Sequence, residues 1–185
     1  MSKKLSEMSL EELWQLFPVC LTEHKDFWKD WYAEEEAFLK SLIAAARISH
    51  IGSTAICSIW AKPIIDILVE IPEECSMPEI RDLITDNGYI CMSKSCSRIS
   101  FNKGYTEHGF DDKVFHLHLR YRGDNDELYF RDYLIEHADI ARQYEKMKLK
   151  LWKKYEHNRD AYTDAKTEFI RKQTARARKI YDGRY

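Results

Sequence analysis

The sequence lacks the signals of several protein classes. None of its apolar runs approaches the roughly 20 residues of a membrane-spanning helix, and residues 1–14 have neither the apolar segment nor the small-residue cleavage site of a signal peptide. The five cysteines are an odd number without the paired spacing of a zinc site. There is also no glycine-rich dinucleotide fingerprint, Walker loop or serine nucleophile elbow. We therefore expect a cytoplasmic protein with no membrane partner.

Charge is distributed unevenly along the chain. The net charge is only −2, yet from residue 141 onward 14 Lys and Arg stand against 6 Asp and Glu. Such a basic region can bind a polyanion, but solvated Lys-rich helices are the commoner cause of this pattern. Nucleic acid is therefore not an expected partner.

The composition and length indicate one folded domain. Hydrophobic residues make up 44% of the chain and aromatic residues 13%, which excludes a disordered protein, and 185 residues suit a single domain. We predict an α+β fold with three parts. A helical N-terminal part (1–47) is followed by a core with a mixed or mostly antiparallel sheet (48–121) and by C-terminal helices (126–185) interrupted near His157 and Asn158.

Two helices are predicted before the sheet. Ser9 and Glu12 form a capping box for a short helix that ends at Pro18. Apolar residues at helical spacing then predict a longer helix from Thr22 to about Arg47. We expect residues 34–36, three consecutive glutamates, to face solvent on this helix.

A carboxylate follows a glycine-containing turn in the middle of the chain. Residues 64–71 alternate as a strand with one packed face, which puts Asp66, Leu68 and Glu70 on the less apolar, half-exposed face. In the preceding turn, Gly52 lets the backbone approach a phosphate closely and the Ser53 hydroxyl adds a donor. This arrangement suits a metal-bound triphosphate, although Gly-Ser turns are common and a single strand aspartate is usually only solvated.

A second polar strand face is predicted at residues 114–121. There His116, His118 and Arg120 alternate with apolar residues. If this strand lies near the first, both histidines face Asp66. One carboxylate and two imidazoles would suit Zn, Mn or Fe better than Mg, which prefers oxygen ligands. The alternative is a pair of exposed or phosphate-binding histidines without a metal.

Five segments of the chain resemble the GrpB family. They are HIGSTAICSIWAKPIIDILVEI from His50, FHLHLR from Phe115, FRDYLIEH from Phe130, YEKMKLKL from Tyr144 and YTDAKTEFI from Tyr162. The family is similar to nucleotidyltransferases of the polymerase-β type, whose pattern is Gly-Ser followed by two carboxylates two residues apart on a strand. The resemblance implies a nucleotidyltransferase-like fold. The chain departs from the family where Cys57-Ser58 replaces Pro-Gly, and from the superfamily where Leu68 stands at the second carboxylate.

Basic and aromatic residues in or near these segments are candidates for binding a nucleotide. The candidate phosphate donors are Lys62, Arg120, Arg131, Lys148 and Lys166. Tyr144 and Tyr162 each lie one helical turn before a lysine, so each pair shares a helix face and could stack on a base while the lysine binds its phosphate. In the alternative interpretation the tyrosines are buried core residues and the lysines are solvated.

Three functions remain open from the sequence. The first is nucleotidyl transfer to a hydroxyl acceptor with a divalent ion (Mg or Mn, or else Zn), in a catalytic site formed by Ser53, Asp66, His116 and His118. The second is a nucleotide- or phosphometabolite-binding module without turnover, because Leu68 removes a carboxylate. Since GrpB-like domains occur fused to dephospho-coenzyme A kinases, the resemblance also implies an accessory, coenzyme A-linked role. The third is a hydrolase whose metal is bound by the same aspartate and histidines.

Overall fold

The computed structural model describes residues 3–185. The helices and strands follow one another along this range as α1 (Leu10–Leu16), α2 (Trp28–Leu42), β1 (Arg47–Ile51), β2 (Ile65–Ile71), α3 (Met77–Asp86), β3 (Ile90–Lys94), β4 (Arg98–Thr106), β5 (Gly109–Tyr121), α4 (Asp126–Glu136), α5 (Ala138–Tyr155) and α6 (Arg159–Ile180).

The strands form one mixed sheet in the order β1-β2-β5-β4-β3. The pair β2 and β5 is parallel, and the other neighbours are antiparallel. Parallel strands need a long connection, and here α3, β3 and β4 intervene in the chain. The sheet confirms the predicted α+β fold. Its parallel pair also places the two polar strand faces side by side.

The N-terminal helices confirm one prediction and correct another. Ser9 caps α1 and exchanges the two hydrogen bonds of a capping box with Glu12. The second helix, predicted from Thr22 to Arg47, is shorter and covers only Trp28–Leu42. Thr22 exchanges backbone hydrogen bonds with Ala61, and Arg47 begins β1. Pairing with distant segments therefore overrides the helical pattern at both ends.

Both faces of β2 are covered, so the prediction of a half-exposed face was wrong beyond Asp66. On one face, four alternating residues of β2 pack in the core with side chains from α2 and α3; they are Ile65, Ile67, Val69 and Ile71. On the opposite face Leu68 is completely buried against Ile51 of β1 and Leu128 of α4. The helix α4 lies over this part of the sheet, and only the N-terminal end of β2 opens to a cleft.

One glutamate of α2 is buried, contrary to the prediction that all three face solvent. Glu35 accepts hydrogen bonds from the Tyr89 hydroxyl (2.8 Å) and from the Lys103 ammonium group (2.7 Å), where α2 packs against the sheet. A buried carboxylate is tolerated when donors satisfy it in this way.

The C-terminal helices are interrupted where the sequence predicted. α5 ends at Tyr155, and the Asn158 side chain accepts a hydrogen bond from the Ala161 N–H (3.0 Å) to cap α6. Asn125 occupies the N-cap position of α4, but its side-chain amide donates to Glu70 (3.1 Å) instead of capping the helix.

Over residues 3–185, no helix is long and apolar enough to cross a membrane. All five cysteines are free thiols. The cytoplasmic location and the single-domain assignment both stay predictions.

Candidate functional site

Gly52 brings the turn after β1 into direct contact with Asp66. Its φ of 71° and ψ of −170° lie in a region that is essentially restricted to glycine. A Cβ atom at this position would lie 2.2 Å from Oδ2 of Asp66. Glycine is therefore required both by the backbone conformation and by the carboxylate packed against it.

The turn is held by hydrogen bonds from the residues around it. The Thr54 hydroxyl donates to the carbonyl oxygen of Ile64 (3.2 Å), at the start of the β2 segment. The Nε2 atom of His50 lies 3.0 Å from the same hydroxyl, and its ring stacks on Tyr32. Burial lowers the pKa of His50 to about 4, so this imidazole is neutral near pH 7 and donates to Thr54.

The parallel register places both predicted histidines beside Asp66. Asp66 pairs with His116 along β2 and β5, and Nδ1 of His116 lies 3.2 Å from Oδ1 of Asp66. Nε2 of His118 lies 4.0 Å from the same oxygen. Burial alone raises the pKa of Asp66, but the two imidazoles beside its carboxylate outweigh burial and hold this pKa far below its usual range. Asp66 is therefore ionised.

Arg159 determines which nitrogen of His116 carries the proton. Its guanidinium nitrogen Nη2 lies 3.0 Å from Nε2 of His116, and the Tyr105 hydroxyl lies 2.8 Å from the same atom. Because a guanidinium only donates, Nε2 must accept, and the proton of the neutral ring sits on Nδ1 facing Asp66. Burial lowers the pKa of His116 to about 4, which agrees with a neutral ring.

Lys148 is buried beneath the turn. Its ammonium group donates to the Ser53 hydroxyl (3.0 Å) and to the carbonyl oxygen of Trp60, and lies 4.9 Å from the centre of the Tyr144 ring. Burial lowers the pKa of Lys148 to about 7. The predicted pair of Tyr144 and Lys148 thus shares a helix face, with the tyrosine largely buried.

Lys62 and Lys166 approach one aromatic ring. Their ammonium groups lie 5.3 Å and 4.4 Å from the centre of the Tyr162 ring. Burial, followed by repulsion from Arg159 and other cations, lowers the pKa of Lys62 to about 7. Burial likewise lowers the pKa of Lys166 to about 8. Positive charge is therefore crowded at this point of the site.

These side chains surround a cavity of about 390 Å³, which we name the cationic cavity. Its lining includes Gly52, Ser53, Thr54, Lys62, Asp66, His116, His118, Tyr144, Lys148, Arg159, Tyr162, Thr163 and Lys166. Four of these side chains are basic, and Asp66 is the single carboxylate among them. Ten of the predicted site residues meet here.

Two predicted phosphate donors lie outside the cationic cavity. Arg120 is buried near α4, where it donates to backbone carbonyl oxygens and lies 3.8 Å from both Asp124 and Glu127. Arg131 donates to the carbonyl oxygen of His50 (2.8 Å) and pairs with Asp132. Both arginines join α4 to the sheet. Arg120 of β5 approaches Glu127 of α4, and Arg131 of α4 donates to His50 of β1.

Arg159 is the charged site residue that the sequence interpretation missed; Thr54 and Thr163 also line the cationic cavity without having been predicted. Arg159 is the first residue of α6, directly after the interruption near Asn158, and lies outside the five segments that resemble the GrpB family. Two helices separated by a short break can direct the start of the second helix into a cleft. The break was therefore the signal that could have identified Arg159.

The arrangement does not match a preassembled metal centre. Within the described range, no group of three or more His, Cys, Asp or Glu side chains is placed to hold a metal ion. Oδ1 of Asp66 already faces the N–H group at Nδ1 of His116. The other ring nitrogen of His116, Nε2, is within hydrogen-bond distance of Arg159 and Tyr105. Leu68, at the position of the second carboxylate, is completely buried. The predicted metal ligands stay a prediction.

Comparison with known proteins adds independent information. The family model described as GrpB protein matches residues 18–176. The glutamate-rich protein GrpB of Alkalihalophilus pseudofirmus is 32% identical over 163 residues, covering 82% of this chain and 91% of that protein. The crystal structure of the conserved protein GrpB from Enterococcus faecalis has a TM-score of 0.75 at 28% identity, covering 88% of this chain and 99% of that chain.

A more distant similarity concerns the fold alone. The MgGTP-bound Cid1 poly(U) polymerase matches with a TM-score of 0.50 at 10% identity over 79% of this chain. The match covers 47% of that polymerase, so this chain spans about half its length. The fold is therefore nucleotidyltransferase-like, as the sequence resemblance implied.

Proposed function

This chain belongs to the GrpB family, and on that premise we propose that it binds a phosphorylated small molecule, such as a nucleoside phosphate, in the cationic cavity. The observation that carries the proposal is the charge of that cavity. Lys62, Lys148, Lys166 and Arg159 line it with only one carboxylate, Asp66. A volume of about 390 Å³ suits a small ligand.

An anion would relieve an unfavourable feature of the free protein. Burial lowers the pKa of Lys62, Lys148 and Lys166, and repulsion between neighbouring cations lowers it further. A phosphate between these ammonium groups would compensate both effects, because it supplies negative charge and hydrogen-bond acceptors in a partly buried place.

Two of the basic groups are already oriented before any ligand arrives. Lys148 is held by Ser53 and the Trp60 carbonyl, and Arg159 is held by Tyr105 through a hydrogen bond of 2.6 Å. Side chains fixed in this way lose little conformational entropy on binding. The cavity therefore has the preorganisation expected of a binding site.

Nucleotidyl transfer to a hydroxyl acceptor is the second candidate function. It is favoured by His118, which lines the cavity 4.0 Å from Asp66 and could take the acceptor's proton. The acceptor oxygen would bond to the α-phosphorus while the bond from this phosphorus to the bridging oxygen breaks, and pyrophosphate leaves with the electron pair. Three other hypotheses stay predictions from the sequence. They are a hydrolase activity, a role linked to coenzyme A and a bound divalent ion.

Replacing one cavity lysine should weaken binding strongly. In isothermal titration with pyrophosphate and with each of the common nucleoside triphosphates, we expect wild-type protein to bind at least one of them. Lys166→Met should weaken that binding about ten- to hundredfold, because a charge-assisted hydrogen bond in a partly buried site contributes roughly 1.5–3 kcal/mol. Lys172→Met is the matched control, since Lys172 lies on the exposed side of the same helix, α6.

The same samples separate the two candidate functions. Pyrophosphate release together with formation of the nucleotidyl ester of an added alcohol, both lost in His118→Gln, would identify transfer, whereas binding without release would identify a binding module. If no phosphate compound binds to the wild-type protein, or if Lys166→Met binds as tightly as wild type, the proposal is wrong.

Binding should take up protons and weaken as the pH rises. In the free protein, burial lowers the pKa values of Lys62 and Lys148 to about 7 and the pKa of Lys166 to about 8. A bound anion raises these pKa values, so the complex carries more protons than the free protein between about pH 7 and pH 9. Sulfate is the suitable probe because its own charge is constant in this range.

Titration calorimetry in two buffers of different ionisation enthalpy measures the proton uptake directly. We expect sulfate affinity to fall steadily from about pH 6 to about pH 9, and Lys166→Met to take up fewer protons. A sulfate affinity that is independent of pH across this range would contradict the assignment.

A further inference from the structure

A second cavity adjoins the cationic cavity. Its volume is about 510 Å³, and it shares His116, His118 and Arg159 with the first. The rest of its lining comes mainly from α1 and from the strands β3 and β4. The apolar side chains in the lining include Leu10, Leu13, Trp14, Phe17, Ile90 and Met92. We name it the apolar cavity.

One row of residues across the sheet connects the two cavities. Asp66 of β2 pairs with His116 of β5, His116 pairs with Asn102 of β4, and Asn102 pairs with Ile90 of β3. Paired residues project from the same face of a sheet. The row therefore changes from charged to polar to apolar over three strand spacings, which is about 14 Å.

The edge strand β3 presents apolar side chains that the described part of the chain does not bury fully. Ile90 is 44% exposed and Met92 is 57% exposed. The register between β3 and β4 shifts between Cys91 and Ser93, so Met92 is the extra residue of a bulge. A bulge redirects a side chain, and here that side chain lines the apolar cavity.

The helix α1 covers the apolar cavity without closing it. None of the residues of α1 is buried, and Leu10 is 58% exposed. The chain is anchored just after this helix, where the Phe17 ring contacts Tyr105 (4.7 Å between ring centres) and Phe110 (5.0 Å). The apolar stripe of α1 thus faces a space that residues 3–185 leave open.

We propose that the apolar cavity binds the apolar part of the same ligand whose phosphate occupies the cationic cavity. The ligand is then a phosphate ester that carries an alkyl or aryl group within about 14 Å of the phosphate. This inference rests on the proposed phosphate binding. A small ligand is the occupant we assign, because His116, His118 and Arg159 line both cavities and one molecule extending past these side chains would contact both.

A series of n-alkyl phosphates tests this directly on the wild-type protein. Dissociation constants are measured by titration calorimetry for inorganic phosphate and for methyl to decyl phosphate, the longest of which spans the distance to Ile90. Each added methylene that enters the apolar cavity should tighten binding about three- to fourfold. The matching n-alkyl alcohols, which lack the phosphate, should bind far more weakly than the esters.

Two isoleucines with similar exposure provide the matched variants. Ile90→Asn should remove most of the gain with chain length and leave the affinity for inorganic phosphate unchanged. Ile135→Asn, on α4 and 54% exposed, should retain the full gain. Thermal unfolding of both variants verifies that they fold.

The outcomes distinguish this inference from the proposed function. If phosphate binds but affinity does not rise with chain length, or if Ile90→Asn retains the full rise, the ligand assignment is wrong and phosphate binding still stands. If neither phosphate nor its esters bind, the proposed function fails and this inference with it. A protein dimer that Ile90→Asn converts to monomers, without any gain with chain length, would assign the apolar cavity to a second copy instead.

Discussion

Gly52→Ala is expected to destabilise the protein by about 2–5 kcal/mol, through backbone strain and displacement of Asp66. The φ and ψ values of Gly52 lie where an L-residue is strained. The new Cβ atom would lie 2.2 Å from Oδ2 and 2.9 Å from Cγ of Asp66, which is held by two histidines and cannot move freely. Urea unfolding measures the loss.

Two variants separate the two causes of this loss. Gly88 also has a positive φ, of 90°, but a Cβ atom there meets nothing within 4 Å, so Gly88→Ala reports the cost of strain alone. In an Asp66→Ala background, Gly52→Ala should cost less, because Oδ2 and Cγ have been removed and only the Cβ atom of residue 66, 2.9 Å away, stays close. Equal costs for Gly52→Ala and Gly88→Ala, unchanged in that background, would contradict the assigned contact.

Glu70→Ala is expected to destabilise the protein by about 2–4 kcal/mol, because the buried Asn125 amide loses its acceptor and the partly exposed Arg47 loses its charged partner. The Glu70 side chain is fully buried and accepts hydrogen bonds from Nε (2.6 Å) and Nη2 (2.7 Å) of Arg47. It also accepts hydrogen bonds from the Asn125 side-chain amide (3.1 Å) and from the Gly123 backbone N–H (3.3 Å). One carboxylate thus joins β1, β2 and the loop that leads into α4.

Urea unfolding of Glu70→Ala should be compared with Glu73→Ala, an exposed residue just after the same strand. The control should change the free energy of unfolding by less than about 0.5 kcal/mol. A cost for Glu70→Ala below about 1 kcal/mol would mean that water replaces the lost acceptor easily and that the cluster does not stabilise the fold. Phosphate binding should survive in folded Glu70→Ala, because this carboxylate is not part of the cationic cavity.

The chemistry of the site depends on one position of β2. Leu68 stands where the superfamily pattern has a second carboxylate, and it is completely buried under α4 against Leu128. A carboxylate introduced there alone would be buried among apolar side chains, at considerable cost. The chain therefore differs from the pattern in packing as well as in charge, and this favours binding over metal-dependent transfer.

The sequence by itself determined the features that depend on neighbours close in the chain. The capping box of Ser9 and Glu12 follows from residues three apart. The two strand faces that carry Asp66 and His116 follow from alternation, and the pairs such as Tyr162 with Lys166 follow from helical spacing. Local periodicity is sufficient for these predictions because a strand or helix fixes the direction of each side chain.

Only the tertiary structure decided which of these side chains meet. The sequence did not determine that α4 covers the second face of β2, and so it predicted Arg120 and Arg131 in a cleft that they do not line. It also missed Arg159, which reaches His116 from 43 residues away, and Glu35, which is buried only because Lys103 and Tyr89 pack against it. Strand order and helix placement depend on distant packing, and single-sequence patterns carry little information about it.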